Sequence, residues 1–363
     1  MKPKNLWLSP EPFLPIKMIP FKRPFYWIVN FLLHSNYFRE SLWETSKDIF
    51  CQNNYIPTNK LSLHSIPAQY KCSTENSKNE IAPVFVTARF RSGSTFFWQL
   101  FRNIDGTTTY YEPLNENRWY LHNEVKPQID PTHLGVKDYH KEYYGMSYLD
   151  KWFRYEWSYR YLFMDEKHYD PNLYNYINAL IVGASGIPVL QFNRMDFRLA
   201  WLKANFPKAK IVHLYRNPRE QWMSIQRDGG VVPLEYKLSP SSNLALFDTL
   251  HWARDLRHVF PFLELDNEIH PYALHYFIWR LSYSFGKCYA DYSIAYEDII
   301  TEFRETFGRL LDDLGINGVD INLLLPLNRG RVRNSWQEYA PVLWFEEIET
   351  KCDRILKTYF SEI

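Results

Sequence analysis

Short apolar runs rich in β-branched residues alternate with segments of helical periodicity through the middle of the chain. The apolar runs at residues 83–88, 187–192 and 209–215 predict buried strands. Apolar residues recur every three to four positions in the segments that follow, and the clearest helices are predicted at 94–101 and 196–206. Strands that alternate with helices in this way are typical of a parallel α/β sheet.

The same pattern extends into the last third of the chain, with longer helical segments. Helical spacing of apolar residues predicts helices at 249–260, 272–289, 301–314 and 344–359. A short apolar run at 292–296 predicts one more buried strand. We therefore expect helices to flank both faces of the sheet.

Two parts of the chain lack this alternation. Residues 1–80 hold no repeat, and their Asn-, Ser- and Lys-containing end predicts a surface connection, so we expect an N-terminal extension. Residues 110–185 are dense in Tyr, Trp and His without a sustained period. We expect an insertion there over the carboxyl edge of the sheet, where α/β proteins usually hold ligands. The packed domain is predicted over 81–363.

Composition and charge narrow the functional classes. Of the 363 residues, 46% are hydrophobic and 18% aromatic, which indicates a packed globular protein. Lys plus Arg number 42 against 41 Asp plus Glu, so the net charge is +1. Because no global basic field exists, we expect no nucleic-acid partner, and any anion has to be met locally.

The cysteines and the N-terminus bear on location. The four cysteines lie far apart without zinc-type spacing, so neither a disulfide framework nor a metal site is predicted, and a reducing cytosol fits. The first residues show no apolar run with a small-residue cleavage site, so we expect no secretion. The apolar run at 25–33 is shorter than the roughly 20 residues that span a bilayer, and a buried helix explains it better than a membrane-surface patch. We expect a cytoplasmic protein without a transmembrane segment, and the sequence does not indicate its oligomeric state.

Residues 89–95, which join the first predicted strand to its helix, have the composition of an anion-binding loop. Gly93 permits a close backbone turn, and Ser94 and Thr95 open the helix, where free amide groups and the helix dipole attract an anion. Arg91 adds a charge-assisted contact. An ordinary strand-to-helix loop with an N-cap explains the same residues equally well.

A second basic junction and a third basic loop follow later in the chain. Arg216 ends a predicted strand, and Pro218 suits the first position of the next helix. Arg216 and Ser224 are eight positions apart, so they face one anion only if the junction folds back. The third loop, at 328–333, is interrupted by Gly330. Each of these features alone is more often a solvated charge cluster than a ligand site.

Taken together, the motifs resemble those of the sulfotransferases that use 3′-phosphoadenosine 5′-phosphosulfate (PAPS) as donor. The 5′-phosphosulfate loop of that family is similar to residues 91–95, and its 3′-phosphate motif is similar to 216–219 with Ser224. Its Tyr-Glu-Asp element resembles residues 296–298, and its late basic loop resembles 329–331. The Arg-Ser-Gly-Ser-Thr form is closest to the carbohydrate-type members.

The resemblance implies a fold, a reaction and a set of site residues. The fold is a parallel sheet flanked by helices, with a strand–loop–helix similar to a P-loop. The reaction is metal-independent sulfuryl transfer from PAPS to a hydroxyl of a small molecule or glycan, in which Arg91 stabilises the leaving group. The residues that the resemblance assigns to PAPS binding are Arg91, Ser92, Gly93, Ser94, Thr95, Arg216, Ser224, Arg329, Gly330 and Arg331.

The acceptor hydroxyl needs a base, and Glu112 is the leading candidate. It stands before Pro113 at the end of the next predicted strand, and carbohydrate-type members carry a similar Glu-Pro. Alternatively, Glu112 pairs with Arg91 or Arg194 and only holds its loop. Phenol-type relatives use a histidine, and the rivals of that kind are His122, His133 and His140.

Four further charged residues follow predicted strands, and structural roles can explain them. Arg194 and Asp196 either support the nucleotide or brace the sheet. Glu297 and Asp298 stand at a strand-to-helix junction, where N-capping of the helix accounts for them.

Other enzyme classes and a non-enzyme alternative fit less well. A nucleotide-dependent kinase shares the architecture, but the sequence contains no GxxxxGK[ST] motif. The sequence also contains no GxSxG motif, which disfavours an α/β-hydrolase. An inactive carbohydrate- or nucleotide-binding module is the alternative outside enzymes. The aromatic insertion suits a sugar, a glycolipid head group or a polycyclic natural product, and composition does not separate these acceptors.

Overall fold

The computed structural model describes most of the chain after the first predicted strand begins. The described residues are 82–121, 136, 138–226, 230–239, 242, 244, 246–264 and 269–360. The predicted extension at 1–80 and the apolar run at 25–33 lie outside these ranges.

Five parallel strands form one sheet, as the alternating pattern predicts. The strands are β1 (Val84–Ala88), β2 (Thr107–Tyr111), β3 (Ile187–Phe192), β4 (Lys210–Tyr215) and β5 (Tyr292–Ala295). Their order is β2-β3-β1-β4-β5, and every ladder between neighbours is parallel. The α/β fold class expected from the sequence is confirmed.

Helices connect the strands and cover the sheet. The α-helices are α1 (Ser94–Arg102), α2 (Pro171–Gly183), α3 (Leu199–Asn205), α4 (Pro218–Gln226), α5 (Thr249–Leu256), α6 (Pro271–Tyr289), α7 (Tyr296–Thr301), α8 (Phe303–Asp313), α9 (Ile321–Leu324), α10 (Trp336–Tyr339) and α11 (Val342–Tyr359). The predicted helix at 196–206 begins as a 3₁₀ turn, and the one at 249–260 already ends at Leu256. In the described ranges, no helix is long and apolar enough to cross a membrane.

The two faces of the sheet bury separate apolar clusters, because successive strand side chains point to opposite faces. On one face, Val84 and Val86 pack with Phe97 of α1 and Phe307 of α8. On the other face, Phe85 joins the larger cluster that α6 also enters. The result is a three-layer α/β/α arrangement, in which each fully buried apolar side chain contributes about 1.5–3 kcal/mol.

The strand order brings the chemically interesting loops together. Ala88 at the end of β1 is in register with Leu214 of β4, so the loops that follow these strands begin side by side. Tyr111 of β2 is in register with Gln191 of β3, which is itself the neighbour of β1. The loops after four strands therefore emerge at one edge, the usual ligand edge of a parallel sheet.

The segment between β2 and β3 is held to the sheet by one buried guanidinium. Arg198, which is fully buried, donates to four backbone carbonyls, and burial lowers its pKa to about 10. The accepting carbonyls belong to Trp157, Arg160, Tyr161 and Arg194, at 2.8–3.0 Å. These bonds fasten the irregular segment to the loop after β3 and so help to shape the edge of the sheet.

Candidate active site

A cleft of about 970 Å³ opens at the carboxyl edge of the sheet. Its walls come from the loops after β1, β2, β3 and β4, from the segment between β2 and β3, and from the basic loop at 328–333. The predicted site residues that line it are Arg91, Gly93, Ser94, Thr95, Glu112, Arg216, Ser224, Arg329, Gly330 and Arg331.

The loop after β1 makes a tight turn at the floor of the cleft. The Ser92 N–H donates to the Arg89 carbonyl at 3.2 Å. Arg91 (φ 65°) and Gly93 (φ 89°) both adopt the left-handed conformation, which glycine reaches freely and arginine only at a cost. A Cβ atom on Gly93 would overlap the ring of Tyr296, so this position requires glycine.

Helix α1 begins at the cleft and offers it an anion-binding end. Ser94 and Thr95 line the cleft, and no side chain caps the helix start. The first amide groups of a helix have no acceptor within it, and the helix dipole favours negative charge at this end. The Thr95 hydroxyl also lies 3.1 Å from the hydroxyl of Tyr111 on β2. The arrangement suits a phosphate or sulfate group.

Ser92 is the one residue of the predicted 91–95 loop that does not line the cleft. It is almost fully buried, contrary to the prediction that it contacts the anion. Gln221 Nε2 on α4 donates to both the Ser92 hydroxyl and the Phe90 carbonyl, each at 2.7 Å. The Ser92 side chain therefore fastens the first loop to α4. The sequence does not predict this role, because it does not show which helix packs behind the loop.

Arg216 and Ser224 both contact Arg91 of the first loop. Arg91 Nε donates to Ser224 Oγ at 2.9 Å, and Arg216 Nη1 donates to the Arg91 carbonyl at 3.2 Å. Arg216 also pairs with Glu220 one helical turn later, at 3.5 Å. The junction after β4 thus folds back onto the loop after β1 and brings two guanidiniums and a hydroxyl to one side of the cleft.

Tyr296 joins the three basic loops, a role that the sequence did not predict. Its ring lies against Gly93 of the first loop, and the Arg216 guanidinium lies 5.1 Å from its centroid. A Cβ atom on Gly330 would come within 2.7 Å of both the Tyr296 hydroxyl and Ile300. One aromatic side chain therefore packs against all three loops.

The Glu112 carboxylate is buried and held at both oxygens. Asn193 Nδ2 donates to Oε1, while Asn115 Nδ2 and Arg194 Nη1 donate to Oε2 at 2.6 and 3.2 Å. Glu112 also adopts the left-handed conformation, with φ 38°. The pairing with Arg194 fits the hypothesis that Glu112 only holds its loop, whereas its position in the cleft fits the hypothesis that it is the general base.

A turn ahead of α5 closes the cleft beside Arg91. Phe247 (φ 45°) and Asp248 (φ 60°) are both left-handed, and the Arg91 guanidinium lies 5.1 Å from the Phe247 ring centroid. Burial opposes ionisation of Asp248, but the bond with His251 and the charges of Arg194 and Arg89 outweigh it and lower its pKa. Asp248 is therefore one of the cleft carboxylates, with Glu116 and Asp138, that the sequence analysis did not predict.

The other predicted residues are placed as follows. Asp196 is fully buried and accepts hydrogen bonds from Thr87 and Ser282, so it braces the sheet, whereas Arg194 lines the cleft. The N-cap of α7 is Ala295 rather than an acidic residue, and Glu297 instead accepts the N–H of Asn217 at 3.1 Å.

The histidine rivals and a metal ion gain no support from the cleft. His122 and His133 lie outside the described residues, and His140 is not among the residues that line the cleft. Within the part of the chain that the structure describes, no group of three or more His, Cys, Asp or Glu side chains is arranged to hold a metal ion.

Comparison with known proteins identifies the family. A model of the Sulfotransferase family matches residues 83–320, which is more than half of the chain. The chain belongs to the sulfotransferase family. The match to this sulfotransferase includes the loops after β1 and β4 and ends before the basic loop at 328–333.

No curated protein matches this sulfotransferase. Among solved structures, it is similar to one described as "Sulfotransferase Domain from the Curacin Biosynthetic Pathway", with 15% sequence identity and a TM-score of 0.33. The comparison covers 77% of this chain and 98% of that chain. At that TM-score the likeness carries no further argument.

Proposed function

We propose that this sulfotransferase moves a sulfuryl group from PAPS to a hydroxyl of a sugar, a glycolipid or a small natural product and releases 3′,5′-ADP. One observation carries the proposal: the start of α1 and three arginine-bearing loops converge on one cleft that also contains a buried carboxylate, Glu112. The motif form, which resembles the carbohydrate-type members, favours a sugar.

The chemistry of the arginine-bearing loops fits PAPS. Arg216, Ser224 and the loop at 329–331 would hold the 3′-phosphate, because guanidiniums bind phosphate by strong charge-assisted bonds. The start of α1, with Ser94 and Thr95, would hold the 5′-phosphosulfate. PAPS supplies an activated sulfuryl group when it is bound.

Arg91 neutralises the charge that grows on the leaving oxygen during transfer. Its Nε donates to Ser224 and its guanidinium lies near the Phe247 ring, so the side chain is oriented before any substrate arrives. Sulfuryl transfer resembles phosphoryl transfer in depending on alignment and on stabilisation of charge at the outer oxygens. A guanidinium that is already in place does this without reorganisation.

Glu112 accepts the proton of the acceptor hydroxyl. Its carboxylate is oriented by Asn115, Asn193 and Arg194. Oε2 accepts two of these bonds and Oε1 accepts one, so Oε1 is the oxygen proposed to take the proton. The proton moves from the acceptor oxygen to a Glu112 oxygen as the new bond to sulfur forms.

We also propose the division of the chain predicted from the sequence. Residues 81–363 form the sulfotransferase domain, and 110–185 supply its acceptor-binding segment. This proposal is supported by Asn115, Asn117 and Trp119, which lie in that segment and line the cleft. The extension at 1–80 and a cytoplasmic location stay predictions from the sequence.

Calorimetric titration with 3′,5′-ADP in EDTA tests the donor site directly. We expect binding without metal in the wild type and at least a tenfold loss in Arg216→Ala, since the variant removes a charge-assisted contact. Arg309→Ala is the matched control, because Arg309 is an exposed arginine that also pairs with a glutamate one turn away, Glu305.

A parallel titration with ATP and magnesium separates the alternatives. Binding of magnesium ATP without binding of 3′,5′-ADP would replace the proposal with a kinase. Failure of both nucleotides to bind would favour an inactive binding module.

A further inference from the structure

Charge is divided between two sides of the cleft. The arginines at one side come from the loops after β1 and β4 and from the basic loop, and they are Arg91, Arg216, Arg329, Arg331 and Arg333. The charged residues contributed by α1's last turn and by the loops after β2 and β3 are Arg102, Arg194, Glu112, Glu116 and Asp138. Among these described residues the second side carries two cations and three carboxylates, a net charge of 2 − 3 = −1. Asp248 lines the cleft on the turn beside Arg91 and is not counted with either side.

The strand order brings the two sides together at β1 and β3, which are neighbours, and separates them at β2 and β4. Glu112 follows β2 and Arg216 follows β4, and two other strands lie between β2 and β4 in the sheet. Neighbouring strands are about 4.8 Å apart, so the loops after β2 and β4 start about 14 Å from one another. Arg102 stands at the far end of α1 from the first loop. A ligand that bridges the cleft therefore meets cations at one end and a carboxylate excess at the other.

Both guanidiniums on the acidic side are already engaged by carboxylates. Arg102 donates to Glu142 at 2.6 Å and to both oxygens of Asp138 at 2.9 and 3.0 Å. Arg194 donates to Glu112 and Glu116 at 3.2 and 2.7 Å. An anionic group that entered here would meet guanidiniums whose charge is already balanced by carboxylates.

Two of the carboxylates present their charge to a ligand. The side chains of Glu116 and Asp138 are 53% and 51% exposed, and both line the cleft. The hydrogen bond from Arg102 lowers the pKa of Asp138, so this carboxylate is anionic at neutral pH. Carboxylates accept hydrogen bonds from hydroxyl or ammonium groups and repel other anions.

An aromatic surface with an unused donor lies beside these carboxylates. The Tyr139 ring centroid lies 5.4 Å from that of Trp119 and 4.7 Å from that of Tyr111, and all three residues line the cleft. Trp119 is 5% exposed, and its indole Nε1 has no hydrogen-bond partner among the described residues. A buried donor without a partner is costly. Aromatic rings with polar groups beside them suit the mixed surface of a sugar ring.

We propose that the acceptor is a sugar without acidic groups, and that Glu116 and Asp138 select against acceptors that carry carboxylate or sulfate groups. This inference rests on the proposed function, because it assigns the arginine side to the donor. Specificity arises from repulsion on the acidic side as much as from attraction. An amino group on the sugar strengthens binding, since it adds an attractive charge.

Binding of matched monosaccharides to the protein saturated with 3′,5′-ADP tests the inference independently of turnover. The probes are methyl glucoside, methyl glucosaminide and methyl glucuronide, with the galactose series in parallel, titrated by calorimetry and by ligand-observed NMR. We expect the uronides to bind at least about tenfold more weakly than the neutral sugars at low salt, and the ratio to shrink near 0.5 M salt as screening increases.

Two variants add positive charge on the acidic side, and a third is the control. Glu116→Lys reverses one charge, and Asn117→Lys adds a cation in the cleft without breaking an ion pair. Each should raise the affinity for the uronides relative to the neutral sugars by about tenfold. Glu305→Lys, an exposed glutamate paired with Arg309 at the same 2.7 Å, should leave the ratio unchanged.

The outcomes separate this inference from the proposed function. Uronides that bind as tightly as neutral sugars, a ratio that neither lysine variant changes, or no sugar binding to the 3′,5′-ADP complex would each overturn the inference while the donor site stands. Failure of 3′,5′-ADP itself to bind would overturn the proposed function and the inference with it.

Discussion

At the scale of single residues, Glu112 is both hydrogen-bonded by its neighbours and open to the cleft. Its carboxylate is braced by Asn193, Asn115 and Arg194, and it lines the cleft where an acceptor would lie. Glu112 also has a left-handed backbone conformation at the edge of the cleft. Base and brace are therefore separable by experiment.

Glu112→Gln should lower kcat by a hundredfold to ten-thousandfold, the usual contribution of a general base, because an amide accepts no proton from the acceptor. Steady-state kinetics measures this, and calorimetry should show the Kd for 3′,5′-ADP within about twofold of wild type, since Glu112 lies outside the proposed donor side. Glu305→Gln, outside the cleft, is the control. A loss of 3′,5′-ADP binding equal to the loss of kcat would leave Glu112 with bracing alone.

Tyr296 is the second residue whose role is testable alone, because its ring contacts Gly93 and Arg216 while its hydroxyl lies near Gly330. Tyr296→Phe keeps that ring and should bind 3′,5′-ADP as the wild type does. Tyr296→Leu removes the face beneath Arg216 and should weaken binding by about tenfold. Calorimetry of both variants decides the matter, and unchanged affinity in Tyr296→Leu would show that the loops assemble without it.

At the scale of elements, the sequence predicted what is local and missed what depends on packing. The strands, most of the longer helices and the loops after β1 and β4 were predictable because each is encoded by a continuous run of residues. The sequence analysis missed α2, which lies in the segment that it described as lacking a period. The burial of Ser92 depends on Gln221, 129 residues away in the chain. The pair of Arg102 with Asp138 likewise spans 36 residues of a segment without a period. Contacts of that kind carry no pattern in a single sequence.

The basic loop at 328–333 packs closely enough to make its glycine essential. In Gly330→Ala, the new Cβ atom would meet Ile300 Cγ2 and the Tyr296 hydroxyl at 2.7 Å, so the loop or these side chains must shift. We expect 3′,5′-ADP to bind about tenfold more weakly, measured by calorimetry. Gly308→Ala is the matched control, since a Cβ atom there meets nothing within 4 Å. Equal affinity in the two variants would argue against a role for this loop in donor binding.

At the scale of the whole molecule, two buried histidines make stability depend on pH. Burial is the main reason that the pKa values of His213 and His275 fall to about 3. Their ordinary pKa lies near 6.5, so below that pH the unfolded chain binds protons that the folded chain does not. The stabilisation is complete above about pH 6.5 and is lost as the pH falls toward 3.

Urea unfolding at pH 7.5, 6 and 5 measures this dependence. Each histidine should lower the free energy of unfolding by up to about 1.4 kcal/mol per pH unit below 6.5. The raised pKa values of Asp196 and Glu142, both caused mainly by burial, act in the opposite direction. The double variant His213→Asn, His275→Gln isolates the histidines, and a pH profile as steep as that of the wild type would contradict the prediction.

The left-handed residues around the cleft have a consequence for how this chain would evolve under heat. Arg91, Glu112, Phe247 and Asp248 all line the cleft with positive φ angles. Each such residue costs about 1–3 kcal/mol, against a total stability of about 5–15 kcal/mol for a typical domain. Glycine would relieve that cost at each position. Laboratory selection for heat resistance alone would therefore collect glycines around the cleft, and the descendants would be more robust and less active.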